Sequence, residues 1–213
     1  MPLIRESIVI TSNREGRVHI APIGLIAEDG DWIIAPFRPS TTLDNLVSVP
    51  FATANHTDDV RVFAGCLTGQ HTWPTIASEK LPVPRLENAL SHAELAVVSV
   101  KDDPQRPRLR CRVVRFVSHM PFQGFNRAQA AVLEAAILVS RLHLLPQEKI
   151  ERDLAYLHTA VEKTAGPREI EAWTWLANKV AAHFASSTPS QIAGATDHAV
   201  NVTPSELGRH ATS

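Results

Sequence analysis

The stretch that decides the fold runs Glu6-Ser-Ile-Val-Ile-Thr-Ser-Asn-Arg-Glu-Gly-Arg-Val-His-Ile-Ala-Pro-Ile-Gly24. Residues 5–12 alternate in the manner of a strand, with Ile8 and Ile10 on one face and Ser7, Val9 and Thr11 on the other. Their β-branched content supports a strand, because such side chains pack well on a pleated sheet. The polar segment Asn13–Gly16 predicts a turn in which the glycine takes a positive φ. Residues 17–27 then form the return strand of an antiparallel hairpin.

Pro22 and Gly24 interrupt the return strand. Proline has no backbone N–H to donate to a ladder, so Pro22 marks an edge, a bulge or a bend. Glycine two residues later would let a flat ligand approach the backbone closely. A barrel corner without a ligand explains the same pair, and taken alone the two residues favour that explanation.

A turn at 28–31 leads into the apolar segment Trp32–Phe37, which predicts a third strand ending at Phe37. The character of the chain then changes, and Ser40 or Thr41 is a natural N-cap for a helix. This succession of strands and turns is typical of a small β-barrel. The apolar residues expected to pack the helix onto the barrel are Leu43, Leu46 and Val47.

The start of this helix also has the features of an anion site. A helix N-terminus presents free N–H groups and the positive end of a dipole, and both suit a phosphate. Three hydroxyl residues lie there, Ser40, Thr41 and Thr42, and Arg38 can bind a phosphate through two hydrogen bonds. A capped surface helix with an incidental arginine explains the same residues, and both interpretations stay open.

The remaining β-region is predicted from shorter patterns. Residues 60–65 form either a short strand or a helical turn. Pro74, Pro82 and Pro84 indicate a long loop that crosses the barrel, because proline disrupts both helices and ladders. The other predicted strands are 51–56, 94–101 and 109–118, the last two joined in a hairpin by the charged tip 102–107.

From Met120 onward the apolar period becomes helical. Asn126 is a suitable N-cap for a helix through about Leu144, and Pro146 and Gly166-Pro167 begin two more. The first helix is apolar nearly all round, so we expect it to be buried on more than one side. The predicted apolar stripes of the other two are Ile150, Leu154, Leu157, Val161 and Ile170, Trp173, Leu176, Val180, Phe184.

These patterns divide the chain into three predicted parts. They are a β-domain over 1–120, a helical region over 121–185 and a tail over 186–213. The tail is rich in Ser, Thr, Ala and Pro without an apolar period, so we expect it to be mobile.

Composition excludes several classes of protein. The 213 residues are 44% apolar and 20% charged with a formal charge of -1, so no strong field attracts nucleic acid or an anionic membrane. The most apolar run, 128–145, contains Glu134, Arg141 and His143 and is a poor membrane span. No secretory signal is evident at the N-terminus, and we expect a cytoplasmic protein.

No histidine pair has a metal-ligand spacing, so no metal site is predicted. The two cysteines, Cys66 and Cys111, are expected to be reduced.

The chain resembles the FMN-binding split barrels, the superfamily of the pyridoxamine-phosphate oxidases and flavin reductases, and within it a branch of unknown function with a C-terminal helical region. The resemblance covers roughly residues 4–185 and rests on short motifs. They are Glu6, Thr11, Asn13, Gly16, Ala21-Pro22-Ile23-Gly24, Pro36-Phe37-Arg38, Ser40, Thr42, Asn45-Leu46, Asn55 and Gly124-Phe-Asn-Arg-Ala128.

This resemblance implies an α+β fold, a six-stranded antiparallel split β-barrel followed by three C-terminal helices. It also implies a homodimer that binds FMN between its subunits. The residues implied to bind the cofactor fall in three groups: His19, Ala21, Pro22 and Gly24 along the isoalloxazine, Arg38, Ser40, Thr41 and Thr42 at the phosphate, and Asn55 near the ring or ribityl chain. The chain lacks the Arg–Lys pair and the Ser-Arg-Lys segment of the pyridoxine-phosphate oxidases, so their substrate does not carry over.

Two functions follow as hypotheses. The first is an oxidoreductase or flavin-reductase-like enzyme for a small molecule, with a nicotinamide or a pterin among the candidate substrates. Its catalytic residues are unknown, although His19, His56 and Glu6 are candidates for tuning the flavin or protonating a substrate. The second is a non-catalytic flavin carrier, sensor or assembly protein. A helical interaction protein on a barrel without flavin is a third and weaker interpretation.

Overall fold

The computed structural model describes residues 2–187. Over these residues the chain forms eight strands and five helices, beginning with a β-region and ending with helices. The elements are β1 (Ile4–Ser12), β2 (Val18–Glu28), β3 (Asp31–Ile34), α1 (Thr41–Ser48), β4 (Phe51–His56), α2 (Arg61–Thr68), β5 (Thr75–Ile76), β6 (Arg85–Leu86), β7 (Ser91–Lys101), β8 (Arg108–Ser118), α3 (Arg127–Ser140), α4 (Gln147–Thr164) and α5 (Pro167–Ser187).

Six strands close an antiparallel barrel in the order β1-β2-β3-β8-β7-β4, and β5 pairs with β6 in a separate two-stranded sheet. Three helices follow the barrel. The predicted α+β fold, a six-stranded barrel with a C-terminal helical region, is confirmed.

Both predicted hairpin turns at the start of the chain are present, and the first has Gly16 at the predicted positive φ. In the first, Gly16 has a φ of 75° and Asn13 accepts the Arg17 N–H at 2.8 Å through its side chain. In the second, Asp29 and Gly30 have φ values of 50° and 82°, which are typical of a two-residue hairpin loop. These local interactions set the register of β1, β2 and β3.

Strand β2 is paired unevenly along its two edges. One edge pairs with β1 from Val18 to Ile26, whereas the other pairs with β3 only from Ile26 to Glu28. Among residues 2–187, no strand pairs with the other edge along residues 18–25, and Pro22 lies in this part of β2. Of the three explanations that the sequence left open for Pro22, an edge, a bulge or a bend, the pairing shows an edge, and we name residues 18–25 the open edge.

The third strand is shorter than predicted, because it ends at Ile34 instead of Phe37. Pro36 cannot donate to a ladder, and the Arg38 N–H bonds to the Gln105 carbonyl at 2.9 Å. Residues 35–38 therefore follow the tip of the β7–β8 hairpin instead of continuing the barrel.

Helix α1 packs on the barrel core through Leu43 and Leu46, as predicted. Val47 is 71% exposed, so its predicted packing is wrong. The buried face of this short helix passes through Thr42 and Asn45 as well as the two leucines, and Val47 lies beyond its edge. The polar residues Thr42 and Asn45 are therefore buried on this face, which the apolar pattern of the sequence did not predict.

Residues 70–90, which we name the strap, cross the outer face of the barrel. Val83 and Leu86 of the strap pack with α2 on Ile8 and Ile10 of β1. The predicted crossing loop is confirmed. Residues 60–65, predicted as either a short strand or a helical turn, form the start of α2. The strap covers the outer face of β1, which explains why Ile8 and Ile10 on that face are buried as completely as Val9 on the face toward the barrel core.

The helices agree with the predicted caps more closely than with the predicted ends. The side chain of Asn126 accepts the N–H groups of Ala128 and Gln129, but α3 ends at Ser140 and not near Leu144. Helix α3 packs against α2, α4 and α5, as expected for a helix that is apolar nearly all round. Ile170 is 53% exposed, so its place in the α5 stripe is wrong.

The predicted tail falls mainly outside the described residues. Residues 186 and 187 belong to α5, and 188–213 lie beyond the part of the chain that the structure describes. Over residues 2–187, no helix combines the length and the apolar character that crossing a membrane requires.

Candidate functional site

The N-terminus of α1 is built as the sequence indicated. Ser40 is the N-cap, in extended conformation, and its hydroxyl accepts the Leu43 N–H at 3.3 Å. Within residues 2–187 the N–H groups of Thr41 and Thr42 have no acceptor. These two donors, at the positive end of the helix dipole, are available to an anion.

Arg38 is engaged with the β7–β8 hairpin tip. Its guanidinium donates to the Asp102 carboxylate at 2.6 Å and to the Asp103 carbonyl at 3.2 Å. Both charged side chains of the ion pair are exposed, and such pairs contribute only about 0–1 kcal/mol. A phosphate could therefore compete with Asp102 for Arg38, and the predicted phosphate role of Arg38 stays a prediction.

Helix α1 is joined to the neighbouring strands by a buried polar contact. Asn45 donates from Nδ2 to Thr11 Oγ1 at 3.0 Å, and α1 packs against β1 and β2. Thr11 is the register partner of His19, and Val9 is the partner of Ala21. Direct partners face the same side of a sheet, so His19 and Ala21 lie on the face that α1 covers. The structure thus brings α1 and two of the predicted β2 residues to one side of the barrel.

Pro22 and Gly24 face the opposite side of β2. Their register partners are Ile8 and Glu6. A Cβ added at Gly24 would lie 2.9 Å from Ile4 Cγ2 and 3.3 Å from Glu6 Oε1, and the φ of Gly24 is outside the left-handed region. Glycine here leaves room for two side chains of β1, so a bend that only glycine can adopt is not the reason for it.

Asn55 is completely buried and its side chain is fully used. Nδ2 donates to the Ile8 carbonyl at 3.0 Å and to both oxygens of Thr53, and Oδ1 accepts the Leu86 N–H at 2.8 Å. These bonds hold β6 of the strap against β4 and β1. The predicted role of Asn55 beside a flavin stays untested, but its polar atoms are already satisfied within the protein.

The histidines proposed to tune chemistry are held neutral. Burial lowers the pKa of His19, and the nearby His71 lowers it further. Burial and then Arg5 lower the pKa of His56, whose Nδ1 lies 3.2 Å from Ser7 Oγ. Near neutral pH both rings are therefore hydrogen-bonding groups without charge.

The cysteines are free, and neither has the surroundings of a reactive thiol. Burial raises the pKa of Cys66 to about 11 and that of Cys111 to about 12. A thiol with such a pKa is almost entirely protonated at neutral pH and is a poor nucleophile. In the described part of the chain, no three His, Cys, Asp or Glu residues are grouped so that they could hold a metal.

A second polar cluster was missed by sequence reasoning. Glu94 is completely buried in β7, and its carboxylate accepts three successive strap N–H groups, those of Glu79, Lys80 and Leu81, at 2.6–3.1 Å. His92, two residues before it on the same face, is also buried. The sequence signal that could have found this cluster is a histidine and a glutamate, His92 and Glu94, at alternate positions next to the apolar residues of β7.

Comparisons with known proteins agree with this architecture. The family model described as "Protein of unknown function (DUF447) N-terminal domain" matches residues 5–120. The model described as "Protein of unknown function (DUF447)" matches residues 126–178. A search of curated proteins finds no match.

Several solved structures are similar. An FMN-bound protein of Methanosarcina mazei, assigned to the same family model, has a TM-score of 0.74 at 19% identity over 84% of this chain and 96% of that one. The 2-nitrobenzoate 2-nitroreductase of Pseudomonas fluorescens has a TM-score of 0.47 at 21% identity over 56% of this chain and 66% of that one. The styrene monooxygenase flavin reductase of Pseudomonas putida S12 has a TM-score of 0.44 at 14% identity, over 53% and 77%.

Proposed function

The chain belongs to the DUF447 family, and from that premise we propose that it is an FMN-binding flavoprotein, an oxidoreductase or flavin-reductase-like enzyme acting on a small molecule. The observation that carries the proposal is the pair of N–H groups at Thr41 and Thr42, which have no acceptor in the described chain and begin a helix that packs against β1 and β2. The fold shared with an FMN-bound family relative supports it.

The residues present fit a phosphate-bearing flavin. The hydroxyl of exposed Thr41 and the N–H groups of Thr41 and Thr42 would hold the phosphate, with Ser40 keeping the helix start in place. Arg38 would add charge once it leaves Asp102. The open edge, which includes His19 and Ala21, would offer backbone groups to the isoalloxazine. Bound FMN supplies the electron-transfer chemistry, while the protein binds it, orients it and excludes water.

We also propose that the protein is a homodimer. Large apolar side chains are exposed on β7, on β8 and in the loop before α3. Exposed apolar side chains of this size are typical of a surface that another protein covers. The residues are Val98, Val100, Val114, Phe116, Phe122 and Phe125. Sedimentation of the chain as a monomer at micromolar concentration, with flavin bound, would contradict the dimer.

A non-catalytic flavin carrier or sensor is the second candidate. It is favoured by the state of the polar side chains at this end of the barrel, because Thr11, Asn45 and Ser40 are all engaged within the protein. Anaerobic reduction separates the two functions. An enzyme is expected to show reduction by NAD(P)H and reoxidation at a rate that depends on the acceptor, for which nicotinamides and pterins are the first trials, whereas a carrier shows neither.

The visible spectrum of the purified protein is the first experiment. A flavin spectrum, or binding of added FMN with quenching of its fluorescence, is the expected result. A colourless protein that does not bind added FMN in calorimetry would refute the flavoprotein proposal and leave the barrel as a scaffold for its helices.

A further inference from the structure

Phe37 is a large aromatic side chain on the surface, immediately before the proposed phosphate site. Its side chain is 65% exposed, although the Arg106 guanidinium covers one face, with Cζ 4.7 Å from the ring centroid. Because one face is covered and most of the residue is still exposed, the other face of the ring is open within the described chain. A flat group could stack on that open face.

The ring and the guanidinium are held in place from both sides. Arg106 Nε donates to the Ala35 carbonyl at 2.8 Å, and the Arg106 N–H donates to Asp103 Oδ1 at 2.7 Å. The Arg38 N–H donates to the Gln105 carbonyl at 2.9 Å. The segment after β3 and the hairpin tip are thus joined on both sides of Phe37, and a pre-organised surface loses little freedom when a ligand binds.

The position of this surface defines the ligand it could take. Phe37 precedes Ser40 by three residues, which limits the separation of their Cα atoms to about 11 Å. The ribose and pyrophosphate of a dinucleotide span such a distance. An arginine-backed aromatic ring is also a common platform for a nucleobase, since every base has a π-face.

We propose that Phe37 and Arg106 form a stacking platform for the adenine of an adenine dinucleotide whose phosphates lie at the N-terminus of α1. The inference rests on the proposed flavin function for the phosphate position and deepens it. Two sources share this chemistry: FAD, whose adenylate extends from the flavin phosphate, and a pyridine dinucleotide such as NADH or NADPH.

The test compares FMN, FAD, NADH and NADPH on the full chain by calorimetry. Phe37→Ala is expected to weaken the binding of at least one dinucleotide about tenfold, because a stacked base is lost, and to change FMN affinity less than about twofold. Phe37→Trp, which keeps a flat ring, is expected to restore dinucleotide affinity. Tyr156→Ala, which removes an exposed aromatic ring on α4, is the matched control and should leave all four affinities unchanged.

The outcomes separate the inference from the function on which it rests. A selective loss of FAD identifies the flavin as the source of the adenine, and a selective loss of NADH or NADPH identifies the pyridine nucleotide. FMN binding with no dinucleotide affected by Phe37→Ala overturns the platform alone. A wild-type chain that binds none of the four ligands overturns both. A Phe37→Ala protein that becomes monomeric with unchanged dinucleotide affinities assigns the ring to a subunit contact and also overturns the platform.

Discussion

His92 and His119 form a hydrogen-bonded stack that links the buried layer between β7 and the strap to the surface. Nδ1 of His92 lies 2.9 Å from Nε2 of His119, and the rings lie 5.1 Å apart at 10°. His92 Nε2 lies 3.8 Å from Glu94 Oε1 and has no hydrogen-bond partner in the described chain. The favourable tautomers have His119 donating to His92, so that the His92 Nε2–H points to the carboxylate.

Both pKa values in this pair are lowered from the ordinary 6.5, chiefly because burial disfavours the charged ring. His119 and Arg85 lower the pKa of His92 further, while Glu94 and Glu79 oppose the shift. As the pH falls, the histidines of the unfolded chain bind protons at a higher pH than those of the folded chain do. The contribution of this pair to the free energy of unfolding is therefore complete above about pH 6.5 and is lost below it. We predict that the free energy of unfolding decreases as the pH falls below 6.5, measured by urea denaturation at several pH values.

His119→Gln tests the contribution of the pair. A glutamine amide can donate to His92 Nδ1 but does not titrate, so the loss of stability between about pH 7.5 and about pH 5.5 should be smaller than in the wild type. His143→Gln, which replaces an exposed histidine elsewhere, is the control and should keep the wild-type pH dependence. Equal pH dependence in all three proteins would show that the pair does not couple folding to protons.

Replacing the two partners of the Arg38–Asp102 ion pair is expected to change FMN affinity in opposite directions. Arg38→Ala should weaken FMN binding by about 1.5–3 kcal/mol, because a charge-assisted hydrogen bond to phosphate is lost, and should leave riboflavin unaffected. Asp102→Asn should tighten FMN binding, because it removes the competitor for Arg38. Calorimetric titration with both ligands measures the difference. If FMN and riboflavin respond equally to Arg38→Ala, the arginine does not bind the phosphate.

The side chain of Asn55 is expected to contribute to the free energy of unfolding and not to FMN binding. Asn55→Ala should lower the free energy of unfolding by about 3 kcal/mol, because it leaves the buried Leu86 N–H and Ile8 carbonyl each without a partner at about 1–3 kcal/mol. Urea denaturation measures the loss, and hydrogen exchange should show faster opening of β6. FMN affinity of the folded variant should be unchanged. A stable variant with weak FMN binding would instead return Asn55 to the flavin site.

What the sequence predicts well here is local. Ser40 and Asn126 are caps because their own side chains bond N–H groups two or three residues ahead, and that information lies within a few positions. The end of β3 is decided by Gln105, which lies far along the chain and accepts the Arg38 N–H. The partners of Glu94 are strap N–H groups, which no periodicity reveals. Long-range polar contacts therefore explain both the misplaced end of β3 and the missed cluster around Glu94.

The last prediction concerns Gly24, on the open edge of β2. The Cβ of Gly24→Val would approach Ile4 Cγ2 at 2.9 Å, but Ile4 is half exposed and its side chain has room to move. The backbone φ at this position suits any residue, and valine is favoured in strands, so the thermal midpoint without flavin should change little. If the isoalloxazine lies against this backbone, the branched side chain crowds the strand beside it, and FMN affinity should fall about tenfold or more, the effect of about 1.4 kcal/mol. Ala27→Val, in the part of β2 that pairs with β3 and outside the open edge, is the control for a branched side chain on this strand. A Gly24→Val protein that melts as the wild type does and binds FMN equally well would remove this part of β2 from the flavin site.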